Sequence, residues 1–523
     1  MTKKDAAGVS RRNLLKGLGG GAAGMGLAAA AALPARAQFG PPGGAPRPPQ
    51  TTPTDFTDGG NHFRTEVDLR DCEVEGKIPE DISGVFYRVG PDPQYPFRFP
   101  ENIAFDGEGH VAAFYFRNGH VDFKSRYPRT QRYLAQAEAR EALFGMYRNP
   151  YTVDPRAEGV SLGTANTQIV VHHGKLFALK EDSPMVAMDP LTLETLDNYY
   201  LFGGDYKAVA HTAHPKIDSH TGNMIGYGYE AKGIGTTDIY VYEADTSGRI
   251  IWDAWVNAPY VAMIHDFAAT ENHIAFYLCP LVTDEAQMRA GGVHFSFDSS
   301  LPTYVGVMRR GGDGSDMQWL QGPLGMATHT MGAFSDGDMF YYDQDMGESN
   351  QFPFFPMKNG EQWDPAKAAG KITRISVDTS NRTPRMYDMT QHFPGFTGAL
   401  PRQDDRYNTV PYRFGVMGSR NANGPSGWTI YDWETGQTKT YSPDEGTSLQ
   451  EMSFIPRREG AAEMDGYLVG VNDRPAEGHS EVILVDTDSM ERIARVILPY
   501  RIMGQVHGWW ADSSLIPGWD EAV

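Results

Sequence analysis

Short stretches of alternating apolar and polar residues recur along the chain after residue 54, each followed by a polar turn. In the most regular units one stretch reaches an aspartate, a short turn follows, and a second stretch begins. Each unit predicts a β-hairpin whose turn residues satisfy their own backbone groups. The clearest units are Met185–Tyr200 with Asp189, Ile239–Trp255 with Asp245, Ile372–Met386 with Asp378, Trp428–Tyr441 with Asp432, and Glu481–Leu498 with Asp486.

The hairpins and the strand-like stretches between them predict an all-β fold built from the blades of a β-propeller. Two of the intervening stretches are His273–Leu278 and Met339–Asp343. The spacing of the units is irregular, which argues against the short-period repeat families. A two-sheet sandwich or a set of separate β domains is the alternative architecture. In a propeller the inner strands meet at one axis, so residues far apart in sequence can share one site.

Helix is expected at one place only, the stretch Arg132–Tyr147. Its apolar residues follow helical spacing: Ala135, Ala139, Leu143 and Met146.

The beginning of the chain predicts an export signal and a linker. Residues 1–37 contain Arg11-Arg12, then a Gly/Ala-rich run that ends in an Ala-x-Ala cleavage pattern at Ala37. This layout is typical of a twin-arginine signal peptide, so the twin-arginine export machinery is an expected partner and the periplasm the expected location. A transmembrane helix is the alternative, but the run is short and ends in small residues. Residues 38–53 are expected to be a Pro/Gly-rich linker, and residues 54–523 the propeller domain.

Composition narrows the classes of ligand. The chain has 523 residues, 40% of them hydrophobic and 21% charged, as expected for a globular protein. Its formal net charge of −20 argues against nucleic acid and against anionic membrane surfaces as partners. Cys72 and Cys279 are too few for a disulfide framework or a thiolate metal site. Two free thiols are expected, and a single bridge between them is the alternative.

Four of the 15 histidines lie in apolar or small-residue strand contexts. Neutral imidazole suits late first-row metals, and no thiolate or carboxylate cluster competes with it in this sequence. Any one of these histidines alone is more often a hydrogen-bonded core residue, so they are candidates only. The four contexts are Ala213-His214-Pro215, Ile264-His265-Asp266, Thr328-His329-Thr330 and Val506-His507-Gly508.

Six motifs are distributed along the chain from about Phe63 to Trp510. They are Phe86-Tyr87-Arg88-Val89-Gly90-Pro91, Phe105-Asp106-Gly107-Glu108-Gly109, Ala213-His214-Pro215-Lys216-Ile217-Asp218, His265-Asp266-Phe267 with Thr270-Glu271-Asn272, Phe454-Ile455-Pro456-Arg457, and Leu498-Pro499 leading to His507-Gly508. Together these motifs resemble the carotenoid cleavage oxygenases, a family that includes the bacterial lignostilbene dioxygenases.

The resemblance implies a seven-bladed propeller with a helical and loop cap over an axial iron site. It assigns one ligand of Fe(II) to each matching motif, with dioxygen as co-substrate. His211 is the nearest rival ligand, but it falls outside the Ala-His-Pro motif. The ligands so assigned are His214, His265, His329 and His507.

Family members also use glutamates that hydrogen-bond the ligand histidines and fix their orientation. Glu181 and Glu451 match two of these positions. The third reads Ala399-Leu400-Pro401-Arg402 and lacks the carboxylate. His329 is therefore expected to lose its partner unless water or Asp404 replaces it. The family's Asn-Ala near His329 is also altered, to Gly332-Ala333.

The segment from Ala142 to Pro150 resembles the lignostilbene branch, in which a tyrosine and a lysine bind the 4-hydroxyl group of the substrate and a phenylalanine stacks on its ring. Tyr147, Lys180 and Phe105 occupy the matching positions. A desolvated ammonium beside a phenol favours the phenolate, which pushes electron density into the conjugated alkene. Lys180 and Glu181 are adjacent, so both reach one cavity only if the strand bends or ends there.

The expected function is an Fe(II)-dependent dioxygenase that cleaves the central C=C bond of a 4-hydroxystilbene into two aromatic aldehydes. One alternative is an apocarotenoid-cleaving enzyme of the same fold, and another is a non-catalytic periplasmic propeller that binds ligands. A zinc hydrolase ranks last, because four histidines would close a tetrahedral zinc site. The protein is expected to be a monomer or a homodimer.

Overall fold

The computed structural model describes residues 62–380 and 387–521. The predicted signal peptide (1–37) and linker (38–53) lie outside these residues, as do the first residues of the predicted domain. The helices are α1 (Gln131–Ala139), α2 (Glu285–Arg289) and α3 (Pro365–Ala368). All other regular structure is strand, apart from short 3-10 turns.

The first half of the chain contains strands β1 (Val67–Leu69), β2 (Glu73–Gly76), β3 (Gly84–Pro91), β4 (Gly109–Arg117), β5 (His120–Arg126), β6 (Gln168–His172), β7 (Lys175–Leu179), β8 (Met185–Met188), β9 (Thr195–Tyr200), β10 (Lys216–Ile217), β11 (Met224–Tyr229), β12 (Asp238–Ala244) and β13 (Ile250–Asn257). The middle contains β14 (Phe267–Ala269), β15 (His273–Leu278), β16 (Leu281–Thr283), β17 (Phe295–Phe297), β18 (Thr303–Arg309), β19 (Gln318–Gly322), β20 (Met326–Asp336), β21 (Met339–Gly347), β22 (Lys371–Asp378) and β23 (Asp388–Gln391). The last part contains β24 (Phe396–Gln403), β25 (Phe414–Asn421), β26 (Gly427–Asp432), β27 (Thr438–Tyr441), β28 (Ser448–Pro456), β29 (Gly466–Arg474), β30 (His479–Asp486), β31 (Arg492–Ile497) and β32 (His507–Asp512).

Seven antiparallel sheets form the blades of a β-propeller, as the resemblance implied. Middle strands such as β11 and β12 are buried at almost every position, because neighbouring blades cover both of their faces. Outer strands such as β13 are more exposed, and in β13 only Ala254 and Val256 are buried. From the axis outward the blades are β6-β7-β8-β9, β10-β11-β12-β13, β14-β15-β18-β19, β20-β21-β22-β23, β24-β25-β26-β27, β28-β29-β30-β31-β2 and β32-β3-β4-β5-β1.

The first strand of every blade faces one axial cavity. Residues of β6, β10, β14, β20, β24, β28 and β32 all line this cavity. The seven inner strands therefore surround a common axis, where residues from distant parts of the chain meet.

Strands from both ends of the chain close the ring. β32 pairs with β3 from Val89 opposite His507 to Gly84 opposite Asp512. β2 pairs with β31, with Glu73 opposite Ile497. Two blades thus combine N-terminal and C-terminal strands, which ties the first blade to the last.

Most of the predicted hairpins are present. Four of the five units form adjacent antiparallel strands around their aspartate turns. In the fifth, Ile372–Met386, the first strand is present, but the second is Asp388–Gln391 and starts beyond the predicted end. Residues 381–386 lie outside the described part of the chain. His273–Leu278 matches β15, and the strand predicted from Met339 continues beyond Asp343 to Gly347.

The helix predicted for Arg132–Tyr147 was too long, since α1 ends at Ala139. Arg140 has a left-handed backbone (φ 59°) and its N–H caps the Gln136 carbonyl, which ends the helix. The Gln136 side chain then accepts a hydrogen bond from the backbone of Leu143 at 3.0 Å. Leu143 is therefore buried in a folded loop instead of on a helix face.

The segments that carry the helices contact one another and form the cap over one end of the propeller. The backbone N–H of His294 donates to the Tyr147 carbonyl at 3.1 Å. The Asn149 side chain donates to the Met288 carbonyl at 2.8 Å, joining the segment after α1 to α2. Phe297 pairs with Met357 in an isolated bridge, which adds the segment before α3.

Cys72 and Cys279 are both free thiols, and each is buried in a different apolar core. Among residues 62–380 and 387–521, no helix has the length and apolar character needed to cross a membrane.

Candidate metal centre and aromatic clamp

The four histidines singled out from the sequence lie together at the propeller axis. His214 and His265 each lie ahead of an inner strand, β10 and β14, with one residue between, while His329 lies within β20 and His507 opens β32. One ring nitrogen from each lies within 4.8 Å of those of the other three. Nε2 of His265 is 3.1 Å from Nε2 of His214 and 3.2 Å from Nε2 of His329.

Two buried glutamates fix which nitrogens face the centre. Nδ1–H of His265 donates to Glu181, and Nδ1–H of His507 donates to Glu451 at 3.0 Å. These bonds leave the lone pair on each Nε2 directed at the other rings. Burial raises the pKa of Glu451, but the charges of His507 and Arg402 outweigh it and lower that pKa to about 2. The carboxylate therefore remains an acceptor at neutral pH.

The geometry fits one transition-metal ion. Two imidazole nitrogens that bind one ion at right angles, each at about 2.1 Å, lie roughly 3 Å apart, as the His265 pairs do. Nε2 of His507 is buried without a hydrogen-bond partner, which is costly unless a cation occupies the centre. Burial and the neighbouring imidazoles lower the pKa of His214 well below its usual value, so that ring is neutral and able to bind metal. His211 lies outside the cluster and is hydrogen-bonded to Tyr242 and Thr212.

His329 has no carboxylate partner of the kind that holds His265 and His507. Asp404, expected as a replacement, instead pairs with Arg406 at 2.6 Å. Within the described residues the only carboxylate within 4.0 Å of Nδ1 of His329 is Asp345, at 3.7 Å, and this Nδ1 is buried without a hydrogen bond. Oδ1 of Asp345 accepts from the backbone N–H of His329 at 2.8 Å. This bond fixes the backbone of β20 at His329, but no hydrogen bond to Nδ1 fixes the orientation of the His329 ring.

The packing around Gly332, where the family has a different residue, leaves little room for a side chain. A Cβ at this position would lie 2.2 Å from Oε1 of Gln403 and 2.6 Å from the Tyr412 ring, so a side chain here would require both of these side chains to move. Ala399, where the family has a glutamate, is exposed and pairs with Gly418.

Lys180 forms a cationic clamp with Phe105 and Tyr147. Its Nζ lies 4.9 Å from the centre of the Phe105 ring and 4.7 Å from that of Tyr147. Strand β7 ends at Leu179 and a turn follows, so Lys180 and the adjacent Glu181 are both buried towards the site. The strand thus ends where it must end if two adjacent residues are to reach one cavity.

Burial sets the protonation of the clamp. Burial lowers the pKa of Lys180, although nearby Asp182 and Glu181 partly oppose this effect. Burial and the charge of Glu181 raise the pKa of Tyr147 well above its usual value. Tyr147 therefore keeps its proton and is a hydrogen-bond donor. Lys180 has no hydrogen bond to any described residue, so its ammonium is free to pair with a bound anion.

A phenylalanine loop between β21 and α3 connects the clamp to the histidines, and the sequence analysis did not identify it. Phe352 contacts the His265 ring at 5.9 Å between centroids. Phe354 lies edge-on to Phe105 at 5.5 Å, and Phe355 lies edge-on to Tyr147 at 5.2 Å. The sequence Gln351-Phe-Pro-Phe-Phe-Pro is an unusual aromatic loop, which is the signal that could have revealed it.

A buried cluster of charged residues contacts the segment that carries Tyr147. The sequence did not predict this cluster either. Arg148 donates to Glu230 at 2.8 Å and to the Tyr229 hydroxyl. Glu230 also lies 3.1 Å from Nε2 of His294, whose backbone N–H bonds the Tyr147 carbonyl. Arg148 has a left-handed backbone (φ 48°), so these contacts hold a strained turn that directs Tyr147 into the cap.

Comparison with known proteins places the chain among oxygenases. Residues 60–512 match the family described as RPE65, retinal pigment epithelial membrane protein. The chain is 38% identical to lignostilbene-alpha,beta-dioxygenase isozyme III of Sphingomonas paucimobilis over 87% of this chain and 96% of that protein. It is 36% identical to isoeugenol monooxygenase of Pseudomonas nitroreducens, over 86% and 95% of the two chains. Its fold matches the crystal structure of Pseudomonas brassicacearum lignostilbene dioxygenase with a TM-score of 0.83 at 37% identity, over 89% and 99% of the two chains.

Proposed function

Because the chain belongs to the RPE65/carotenoid oxygenase family, we propose that it is an iron-dependent dioxygenase that cleaves the central C=C bond of a 4-hydroxystilbene into two aromatic aldehydes. The observation that carries this proposal is the buried Lys180, whose Nζ lies within 5 Å of the rings of Phe105 and Tyr147. A buried ammonium without an anionic partner is costly, and a bound phenolate supplies that partner.

The four histidines His214, His265, His329 and His507 would hold Fe(II). The bound ion would supply the binding and activation of dioxygen, the co-substrate that is consumed when the alkene is cleaved. Glu181 and Glu451 orient two of the imidazoles and keep their metal-facing nitrogens deprotonated.

The clamp binds and polarises the substrate. Tyr147, which keeps its proton, donates a hydrogen bond to the phenolic oxygen, and Lys180 balances the negative charge on it. Phe105 offers an aromatic face to the substrate ring. The phenolate releases electron density into the conjugated alkene. The phenylalanine loop directs this alkene towards the histidines. The buried cap excludes bulk water from this region.

The proposal is tested by anaerobic iron loading, then oxygen-dependent turnover of 4-hydroxystilbene with both aldehydes identified by mass spectrometry. Lys180→Met should lower turnover by at least 100-fold, because the phenolate loses its counter-ion. Lys175→Met, at the start of β7, is the matched control and should retain wild-type turnover. Wild-type turnover by Lys180→Met would contradict the role of the clamp, and absence of oxygen-dependent cleavage by the wild type would contradict the function.

A 4-hydroxyphenyl compound with a shorter alkenyl side chain is a second candidate substrate, favoured by the likeness to isoeugenol monooxygenase. The clamp contacts only the phenolic end, so it does not by itself select the group beyond the alkene. Comparing kcat/KM for 4-hydroxystilbene and isoeugenol separates the two. An apocarotenoid is disfavoured because a polyene has no anion to pair with Lys180. A binding propeller without catalysis would be supported by purified protein that holds no iron.

We also propose that the protein is exported to the periplasm by the twin-arginine route, on the basis of Arg11-Arg12 and the run that follows. Cell fractionation should find the wild type in the periplasm. The variant with both arginines changed to lysine should remain in the cytoplasm, and equal export of this variant would contradict the proposal.

A further inference from the structure

A small polar cavity adjoins the clamp, and the rings of Phe105 and Tyr147 line it. It is small, at about the lower limit of the size that holds one ordered water molecule. Its other polar lining residues include Asp106, Arg132 and Arg148. None of these residues was assigned a role by the motifs in the sequence.

Three buried polar atoms without a hydrogen-bond partner belong to side chains that line this cavity. They are Oδ1 of Asp182, Oγ1 of Thr164 and Nε of Arg148. Unpaired buried polar atoms are rare, and three around one cavity indicate a place for water or an exchangeable proton. The carboxylate among them, Asp182, comes two residues after Lys180 in the same turn.

Charged groups of both signs lie around Asp182, and a second carboxylate, Asp106, lines the same cavity. Lys180 and Glu181 belong to its own turn, Arg148 lies on the segment after α1, and Arg132 lies on α1. Within the described residues no carboxylate lies within 4.0 Å of Nζ of Lys180. Lys180 and Asp182 therefore interact through space or through water, not as a direct ion pair.

We propose that Asp182 is the proton acceptor of the clamp: when a 4-hydroxylated substrate binds, the phenolic proton passes through Lys180 and the cavity to the Asp182 carboxylate. This inference rests on the proposed function. The phenolic O–H bond breaks and its electron pair stays on oxygen as phenolate. Lys180 gives one of its protons to Asp182 and takes the phenolic proton, so it remains an ammonium. The new O–H bond is on Asp182, and the total charge of the site is unchanged.

The electrostatics of the two groups suits this exchange. Burial raises the pKa of Asp182, while Lys180, Arg148 and Arg132 act in the opposite direction. Burial lowers the pKa of Lys180. Each group is thus shifted towards its neutral form, which brings their proton affinities closer together. Without an acceptor, a phenol with a pKa of about 10 would have to release its proton to solvent through a closed cap.

The test is an anaerobic pH titration of 4-hydroxystilbene bound to the iron-loaded enzyme, followed by the red-shifted absorbance of the phenolate. In the wild type the bound phenol should ionise at least two pH units below the free phenol. In Asp182→Asn the midpoint should rise by at least one unit, and kcat at neutral pH should fall at least tenfold and recover as the pH rises. Asp182→Glu should restore part of the effect. An unchanged midpoint in Asp182→Asn would overturn the inference.

Two controls make the result specific. Asp189→Asn, in the β8–β9 turn, should leave the midpoint at the wild-type value. Binding of 4-methoxystilbene, which has no proton to give, should be the same in the wild type and Asp182→Asn. If Asp182→Asn does not fold, the titration is made with Asp182→Ser, which also lacks the carboxylate, and an unchanged midpoint there overturns the inference. If the wild type cleaves no hydroxystilbene at all, the proposed function fails instead.

Discussion

Three of the histidines at the axis differ in what holds the side of the ring that faces away from the centre. His265 and His507 each donate Nδ1–H to a buried glutamate, whereas His329 leaves Nδ1 without a partner. Asp345 compensates indirectly for the missing carboxylate, because it accepts a hydrogen bond from the backbone N–H of His329 and not from its ring. The His329 ring is therefore the least constrained of the three.

Asp345→Asn tests that compensation. Asparagine can keep Oδ1 as the acceptor of the N–H groups of Thr328 and His329, but it removes the negative charge that strengthens both hydrogen bonds. The free energy of unfolding in urea should fall by about 1–3 kcal/mol. The iron content after reconstitution should fall as well, because His329 is less well positioned. Asp336→Asn, exposed at the end of β20, is the control. Wild-type iron content in a destabilised Asp345→Asn would mean that Asp345 supports only the strand.

At the residue scale the sequence predicted most of the site residues, but it did not predict which residue takes the place of the missing glutamate. The histidines, Glu181, Glu451, Phe105, Tyr147 and Lys180 could be placed because each belongs to a motif that covers several neighbouring residues. Asp404 was the wrong replacement for the missing glutamate, since its carboxylate is occupied by Arg406. Asp345 acts through a backbone N–H, and a contact of that kind leaves no pattern in the sequence.

At the scale of secondary-structure elements, the sequence predicted the hairpins of the blades but not the segments that connect them and form the cap. A hairpin needs only local alternation and a turn, as in β12 and β13 around Asp245. The cap depends on contacts between segments far apart in sequence, such as His294 with Tyr147. Residues after Ala139 gain more from burial in this cap than from continuing the helix, which is why helical spacing misled there.

The phenylalanine loop should control substrate binding more than turnover. Phe354→Leu removes the edge-on partner of Phe105, and such aromatic pairs contribute about 0.5–1.5 kcal/mol. KM for 4-hydroxystilbene should therefore rise roughly 2- to 10-fold, with a smaller change in kcat, in steady-state assays. Phe393→Leu removes comparable ring contacts far from the cap and should leave KM unchanged. A fall in kcat with unchanged KM would point to a role in the chemical step instead.

The Arg148–Glu230–His294 cluster should give the cap a pH-dependent stability. Burial raises the pKa of Glu230, but His294 and Arg148 lower it overall to about 2. A carboxyl with a lowered pKa stabilises the fold above its unfolded value of roughly 4.5, and this contribution is lost as the pH falls towards 2. Glu230→Gln should cost about 3 kcal/mol at pH 7, and the difference from the wild type should shrink below pH 4.5. Urea unfolding at several pH values measures it, and a difference independent of pH would contradict the assignment.

For the molecule as a whole, stability depends on the joining of its two ends. β32 supplies both the partner of β3 and the fourth histidine. A chain that stops after Gln505 should therefore lose cooperative unfolding as well as iron, whereas a chain that stops after Glu521 should behave as the wild type. Thermal unfolding and metal analysis distinguish them. Cooperative unfolding of the shorter chain would show that the ring does not need this strand.

The number of blades followed from the resemblance and not from the hairpins. Blades differ in length, and two combine strands from opposite ends of the chain, so no fixed period exists in the sequence. The pattern could therefore indicate blades without counting them.

Closure by the last strand also sets the order of events during synthesis. A nascent chain still attached to the ribosome exposes His214, His265 and His329 long before His507 emerges. Until then it offers three imidazoles and an open ring. Occupation of the complete four-histidine site can thus begin only after translation has delivered the final strand.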